Sequence, residues 1–226
     1  MMIKDCKTLE ELWVEVADIN RKHFPENSLM PILGNGKTLR PKVMFVFINP
    51  TGANISSARD WKGPRFPFIG TRGVWKVFHR AGMLDDGLAR KINDSKSWSL
   101  ELTEEVLDSL RSRSLYLTNI VKWTGSDATL PDAEKIKLFL PILEREILIV
   151  QPQHVVAFGL IPFESMTGRK IKLGEYHSEA MKKGRLRSFD VQCGDFKTKV
   201  IPCYFPVGRG NPGKAVDILR LVGEKL

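Results

Sequence analysis

The sequence predicts an α/β protein, with three layers arranged α/β/α around a central, mostly parallel sheet of four strands. Short apolar runs rich in Val, Ile and Phe alternate along the chain with amphipathic segments of helical period. No repeat, low-complexity tract or linker interrupts the 226 residues, a length that can bury one sizeable core. We therefore expect one domain over residues 1–226.

Four apolar runs are predicted as the main strands of this sheet. They are residues 42–49, 114–121, 154–159 and 196–204, with a further short strand near Phe189. Helical segments separate most of these runs, and strands joined through helices usually lie parallel.

Six segments have the spacing of helices. They are residues 8–21, 73–80, 103–111, 132–150 (with Pro141 as a possible kink), 161–167 and about 213–226. In the first, Thr8 and Glu11 have the spacing of a capping box, so Thr8 is the predicted start.

The composition leaves open a polyanionic partner and excludes several other classes. The net charge is +9 with an isoelectric point near 9.5. This charge fits a protein that binds DNA or RNA, and it also fits an ordinary soluble basic protein. Basic residues concentrate in residues 182–187, which can be a solvated loop or a phosphate-contacting segment. No apolar run reaches the roughly 18 residues of a membrane span. Charges near the N-terminus, where a signal peptide would be apolar, predict an intracellular, cytoplasmic protein with access to DNA.

Neither a metal nor a cofactor is indicated by the sequence. The three cysteines are scattered and show no C-x-x-C spacing, so no disulfide framework, zinc site or iron–sulfur site is predicted. Residues 34–38 (GNGKT) resemble half of a phosphate-binding loop, but Pro31 stands where a glycine is needed and the segment precedes a strand. We expect a turn there.

The strongest indication of function is the loop after the first predicted strand. The apolar run ends at Asn49 in the sequence Asn-Pro-Thr-Gly, and Phe68 follows between Pro67 and Gly70. Open α/β sheets bind their ligands at the carboxyl ends of their strands. A carboxamide and an aromatic face in one loop are what a nucleobase site requires.

Three other strand ends carry polar or turn residues at the same predicted edge. They are Asn119, Gly159 and the loop of residues 205–211. Each has an ordinary structural explanation, since Asn, Gly and Pro are common in turns. Their joint placement at the carboxyl edge favours a binding site.

These segments resemble the uracil-DNA glycosylase superfamily. Residues 48–52 (INPTG) are similar to the I-N-P-G motif of its mismatch-specific branch, as is the segment from Phe66 to Gly82. Residues 67–70 (PFIG) and 117–122 (LTNIVK) resemble the P-F-V-G and T-N-V-V-K motifs of the thermophile-type, iron–sulfur branch. Residues 151–159 match the P-x-x-V-V-A-x-G strand of that branch. The resemblance extends over about residues 43–212.

The chain also departs from this pattern. The iron–sulfur branch has a cysteine directly after the lysine of T-N-V-V-K, where this chain has Trp123, so no cluster is expected. The second catalytic motif, H-P-S or N-P-S in most branches, is replaced by Phe205-Pro206-Val207. The remaining histidines fall on no matching position and are expected to be structural. They are His23, His79, His154 and His177.

The resemblance implies a role for each site residue. Asn49 would hold the attacking water, Phe68 would stack on the extruded base, and Asn119 would read its Watson–Crick edge. Ile48 and Gly52 would complete the base-binding group. In the loop after the last main strand, Arg209 would be a wedge or a phosphate contact, supported by Gly208, Gly210 and Asn211.

The sequence therefore predicts a monofunctional glycosylase that excises uracil, and possibly other deaminated bases, from double-stranded DNA. We expect it to act as a monomer without a cofactor. Two alternatives remain open at this stage: a non-catalytic DNA-binding relative, and an α/β enzyme that acts on free nucleosides.

Overall fold

The central feature of the fold is a mixed sheet of six strands. The computed structural model describes residues 5–208 and 210–224. The strands are β1 (Asn35–Gly36), β2 (Val43–Phe47), β3 (Leu115–Asn119), β4 (His154–Phe158), β5 (Phe189–Cys193) and β6 (Phe196–Cys203). Their order across the sheet is β1-β3-β2-β4-β6-β5.

The four central strands are parallel, and the two edge strands are antiparallel to their neighbours. The expectation of a four-stranded sheet was therefore wrong. β1 has two residues, too few to show any periodicity, and it occupies the segment expected to be a turn. β5 alternates exposed and buried residues and joins β6 through a tight turn at Gly194 and Asp195, so it forms a hairpin rather than a crossover.

Eight helices surround this sheet within the described residues. They are α1 (Leu9–His23), α2 (Gly73–Arg80), α3 (Asp86–Asp94), α4 (Leu100–Ser112), α5 (Ala133–Val150), α6 (Leu160–Thr167), α7 (Leu173–Lys183) and α8 (Pro212–Gly223). Thr8 and Glu11 form the expected capping box of α1. Pro141 lies inside α5 without ending it. Helices α3 and α7 were not predicted because each buries only two side chains on a mostly charged surface.

Helices cover both faces of the sheet, which gives the three expected layers. On one face, the Phe45 ring of β2 packs edge-on against Phe78 of α2, with ring centroids 4.9 Å apart. On the other face, the hydroxyl of Tyr116 in β3 donates a 2.8 Å hydrogen bond to Glu146 of α5. Tyr116 pairs in register with Met44, the neighbour of Phe45, so the two contacts lie on opposite faces.

A fully buried ion pair joins α5 to the end of β3. The Lys122 ammonium contacts the Glu146 carboxylate, and both side chains have no exposed surface. The same carboxylate accepts hydrogen bonds from the hydroxyl of Thr118 at 2.9 Å and from the backbone N–H of Gly34 at 3.0 Å. Burial lowers the pKa of Lys122, and the neighbouring Glu146 opposes that shift. A buried pair needs such additional hydrogen bonds to offset the loss of hydration of both charges.

We predict that removing one partner of this pair destabilises the fold far more than neutralising both. Lys122→Met leaves the Glu146 carboxylate buried without a counter-charge and should lower the free energy of unfolding by about 3–5 kcal/mol. Adding Glu146→Gln, which keeps a side-chain acceptor for Tyr116 and Gly34, should restore more than half of that loss. Urea unfolding followed by tryptophan fluorescence measures both variants. Equal stability of the single and double variants would contradict the prediction.

Candidate functional site

Two carboxamides lie at the carboxyl edge of the sheet on neighbouring strands. Asn119 is the last residue of β3 and pairs in register with Phe47, the last residue of β2. Asn49 follows Phe47 by two residues. The two backbone segments continue side by side beyond the strands. The N–H groups of Ile120 and Val121 donate hydrogen bonds to the carbonyls of Phe47 and Ile48 at 2.8 and 2.9 Å. The fold thus brings both residues to one edge.

Asn119 carries a buried hydrogen-bond donor without a partner. Its side chain is 1% exposed, and its Nδ2 atom makes no hydrogen bond. Its backbone carbonyl accepts a 2.6 Å hydrogen bond from the Lys122 ammonium, which fixes the end of β3. A buried donor left unpaired costs about 1–3 kcal/mol, so native proteins seldom keep one without a reason. Asn119 therefore has the property expected of a group that donates a hydrogen bond to a bound ligand.

Asn49 is half-buried and has its amide nitrogen engaged. Its Nδ2 donates a 3.1 Å hydrogen bond to the carbonyl of Pro50. This bond orients the carboxamide and leaves its Oδ1 atom as the acceptor for a water O–H. A carboxamide does not titrate in the accessible pH range, so Asn49 can orient a water molecule but cannot serve as a strong general base.

Phe68 is held in a strained backbone conformation beside these residues. Its φ of 71° lies in the left-handed region, which costs a bulky residue about 1 kcal/mol or more. Hydrogen bonds from the Trp75 indole at 3.2 Å and the Thr71 hydroxyl at 3.0 Å to the Phe68 carbonyl hold this conformation. The half-buried Phe68 ring packs edge-on against Phe47 at 4.6 Å. Strain of this kind is concentrated at binding sites.

Ile48 and Gly52 are placed differently from each other. Ile48 is buried at 8% exposure, and a Cβ on Gly159 would lie 3.8 Å from its Cδ1 atom. Gly52 is exposed, and its N–H donates to the carbonyl of Gly125 at 2.8 Å. That bond joins the loop after β2 to the loop after β3. Ile48 therefore belongs to the floor of this edge, and Gly52 to its rim.

The loop after β6 packs against the start of α2, next to the Phe68 loop. A Cβ on Gly73 would lie 2.7 Å from Val207, so the two segments are in close contact. The ring of Phe205 lies 6.5 Å from that of Phe47, at an angle of 90°. Phe205, at the position where the resemblance implies a histidine, therefore belongs to the aromatic cluster under the site.

The proposed wedge segment is only partly described. Arg209 lies outside the described residues. Gly208 has a φ of 60°, and Gly210 approaches the carbonyl of Phe205 so closely that a Cβ would lie 1.9 Å from it. Asn211 caps α8 by accepting a 3.1 Å hydrogen bond from the N–H of Lys214. Its side chain thus has a structural role.

The other polar candidates lie away from this edge. His154 pairs with Val43 and Lys199 at the amino end of β4. The ring of His177 in α7 hydrogen-bonds Asp217 of α8 at 3.0 Å, and His79 in α2 contacts Asp86 at 2.7 Å. The structure does not bring these histidines together with Asn49 and Asn119.

Sequence reasoning missed the role of Lys122 and Glu146 next to the site. The lysine was visible as the last letter of L-T-N-I-V-K, but its partner is 24 residues further along the chain. An acidic residue inside the apolar stretch of α5 was the one available signal, since acidic side chains are seldom buried unless they are paired.

The cysteines do not fit an iron–sulfur cluster. Cys193 ends β5 at the amino edge of the sheet, whereas Cys203 ends β6 at the carboxyl edge. Burial raises the pKa of Cys193 to about 12 and raises that of Cys203 as well, which disfavours the thiolate form that binds metal. Among the described residues, no group of three or more His, Cys, Asp or Glu side chains is arranged to hold a metal ion.

Among the helices of the described residues, none is both long enough and apolar enough to cross a membrane.

Residues 33–217 match the model of a family described as the uracil DNA glycosylase superfamily. The chain is also 31% identical over 126 residues to a type-4 uracil-DNA glycosylase of Pyrobaculum aerophilum. That match covers 53% of this chain and 62% of the relative, so the chain spans less than two thirds of the relative's length. The family match includes most of the sheet and every residue described above at its carboxyl edge. The chain belongs to the uracil DNA glycosylase superfamily.

Proposed function

We propose that this protein is a DNA repair glycosylase that extrudes uracil from double-stranded DNA and hydrolyses its N-glycosidic bond, leaving an abasic site. The observation that carries this proposal is the buried, unpartnered Nδ2 of Asn119 at the edge where Asn49 and Phe68 also lie. Membership of the uracil DNA glycosylase superfamily supports the reaction type.

Recognition of the base rests on Asn119 and Phe68. The carboxamide offers one acceptor and donors, which match the N3–H and O4 of uracil. The Nδ2 donor, unpaired in the free protein, gains an acceptor only when a base enters. Phe68 supplies a stacking face, and such stacking contributes about 1–3 kcal/mol per base. Hypoxanthine presents the same N–H and carbonyl pair, so it is a second candidate base.

Hydrolysis proceeds with Asn49 as the residue that holds the water. The water oxygen forms a bond to C1′ while the C1′–N1 bond breaks, and the base leaves as an anion. The attacking water gives up one proton to solvent, and solvent returns one proton to the base. Because the proposed water holder is a carboxamide, catalysis rests on orientation of the water and on backbone N–H groups that stabilise the departing base. We expect a slower enzyme than a relative that has a general base.

The proposal extends to the organisation of the protein. Residues 1–226 form one glycosylase domain that acts as a monomer inside the cell, where DNA is accessible. The residues proposed for the site come from one chain, so no second copy is needed to complete it. Arg209, with Gly208 and Gly210, is proposed to fill the gap left by the extruded base.

Two alternatives make different predictions. A non-catalytic relative would bind uracil-containing duplex without producing abasic sites. An enzyme of free nucleosides would ignore duplex DNA, and its affinity would not respond to salt as phosphate contacts do. Replacement of the family histidine by Phe205 is the observation that favours the first alternative over the second.

The deciding experiment incubates excess purified protein with duplexes that carry U:G, U:A, T:G or hypoxanthine, followed by alkali to cleave abasic sites. Cleavage at uracil is expected, faster in U:G than in U:A because a mismatched base costs less to extrude. A protein that cleaves none of these duplexes, yet retains its fold by circular dichroism, is not a glycosylase of this class.

We predict that Asn119→Ala abolishes base excision without a loss of stability. The rate should fall about 100-fold or more, because the base then loses the group that reads its edge. Since the Nδ2 donor is buried and unpaired in the free protein, its removal should leave the melting temperature unchanged or slightly higher. Single-turnover kinetics and a thermal melt measure the two quantities. A large drop in melting temperature would show that Asn119 is a structural residue instead.

We predict opposite effects for two substitutions at Asn49. Asn49→Ala should lower the single-turnover rate by about 100-fold while the affinity for duplex is kept, because the water loses its holder. Asn49→Asp supplies a carboxylate that can act as a general base, so it should retain or exceed the wild-type rate at neutral pH. That rate should then decline as pH falls through about 4, near the ordinary pKa of an Asp side chain. Equal activity of wild type and Asn49→Ala would remove Asn49 from the mechanism.

A further inference from the structure

Two segments of the chain are strongly basic. Residues 59–80, in the loop after β2 and in α2, contain six Lys and Arg residues and one Asp residue, a net charge of +5. The second segment lies further along the chain. Residues 169–199 contain nine Lys and Arg residues and four Asp and Glu residues, a net charge of +5 out of the +9 of the whole chain. This segment includes α7, β5 and the link between them. We infer that its exposed guanidinium groups, those of Arg169, Arg185 and Arg187, bind the phosphate backbone of DNA to one side of the extruded nucleotide. We call these three residues the arginine cluster; the inference rests on the proposed function.

The link between α7 and β5 leads to the edge of the sheet that carries the site. β5 runs antiparallel to β6, and Phe189 pairs with Val200, so the residues before Phe189 lie toward the carboxyl end of β6. The hydroxyl of Tyr176 in α7 donates a 2.7 Å hydrogen bond to the carbonyl of Arg187, and Leu186 is buried. The link is therefore anchored to the fold at this edge.

Two guanidinium groups of the cluster are held in place by one buried ring. Arg187 and Arg169 lie 4.9 and 5.7 Å from the centroid of the Phe189 ring. Phe189 is 8% exposed and packs edge-on against Phe163 of α6 at 5.0 Å. Because the stacked groups lose less freedom when they bind, they are suited to fixed phosphate contacts.

The cluster also keeps its charge available for a ligand. In the part of the chain that the structure describes, none of its three guanidinium groups forms an ion pair with a carboxylate. Glu179, the acidic residue of the adjacent groove of about 270 Å³, is instead paired with Lys183 at 2.6 Å. Hydrogen bonding to Lys183, followed by the charges of Lys183, Arg187 and Arg185, lowers the pKa of Glu179. The groove therefore keeps a net positive charge.

The loop on the opposite side of the site offers no cation for a phosphate. Residues 123–132, after β3, contain Asp127 and Asp132 and no Lys or Arg, and Asp132 is ion-paired with Lys135. Four strand spacings separate β3 from β5 in the sheet, a distance of about 19 Å. Along a duplex axis this corresponds to about five or six base pairs. The arginine cluster thus adds phosphate contacts on the β5 side that the loop after β3 does not offer, so the footprint should extend further toward β5.

The first test measures the salt dependence of DNA affinity for Arg185→Gln/Arg187→Gln. The control, Lys37→Gln/Lys197→Gln, removes the same charge from exposed residues at the amino edge of the sheet. Fluorescence anisotropy is recorded with undamaged duplex between about 50 and 200 mM salt. We call Arg185→Gln/Arg187→Gln the arginine variant. In this variant only, the loss of two phosphate contacts should reduce the magnitude of the slope of log K against log salt by about two. Equal slopes for the two double variants would overturn the inference.

A second arm separates this inference from the proposed function. Under multiple turnover, the arginine variant should raise KM about tenfold at low salt with kcat unchanged, as expected for uniform binding. If the wild type produces no abasic sites but its slope still depends on the arginine cluster, the proposed function fails and the inference stands. If abasic sites form and the slope is independent of the arginine cluster, the proposed function stands and the inference fails. Tighter binding of an RNA duplex of the same sequence would overturn the assignment to DNA.

The asymmetry has a direct test as well. Two duplexes carry the uracil about four base pairs from one end or from the other, a distance shorter than the inferred footprint. The wild type should bind one of them several-fold more weakly, because that duplex ends before the arginine cluster. The difference should become smaller in the Arg185→Gln/Arg187→Gln variant, which keeps only Arg169 of the cluster. Equal binding by the wild type would contradict a one-sided contact.

Discussion

The contact between Lys122 and Glu146 is the interaction on which the site depends. It joins α5 to the end of β3, and its hydrogen bonds reach the edge strand through Gly34 and the site through the carbonyl of Asn119. The charges lie on one face of the sheet, and the Asn119 side chain lies at the level of Phe47 on the other. A polar network of this kind is satisfied in one arrangement of its members. It therefore sets the position of β3, and with it the position of the residue proposed to read the base.

The site combines this rigid polar support with an aromatic floor. Phe47 contacts Phe68 and Phe158 at 4.6 Å, and Phe205 completes the cluster. The rings of this floor come from three strands and the loops that follow them. They therefore pack together only when the carboxyl edge is correctly assembled. The strained conformation of Phe68 persists because this packing and three hydrogen bonds to its carbonyl hold it. The proposed site thus relies on preorganised groups rather than on titrating ones.

Much of the fold could be predicted from the sequence, and the reasons for the exceptions are physical. The central strands and α2 have strong apolar patterns, so their positions were predicted within a few residues. β1 is too short for any pattern, and α7 buries little besides Tyr176 and Ala180, so neither could be found. At the site, strand ends pointed to Asn49 and Asn119. The Lys122–Glu146 pair could not be predicted, because an acidic residue in the apolar stretch of α5 does not indicate which residue, here one 24 positions away, is its partner.

Phe205 lies where the resemblance implies a histidine, and this bears on the pH range of the proposed activity. An imidazole changes its charge between about pH 5 and 8, so an enzyme that relies on one is sensitive to pH across that interval. Carboxamides and phenyl rings keep one charge state over the same interval. The proposed site consists of such groups, namely Asn49, Asn119, Phe68 and Phe205. Its rate should therefore change little between about pH 5 and 8, although its maximum rate is lower than that of an enzyme with a histidine.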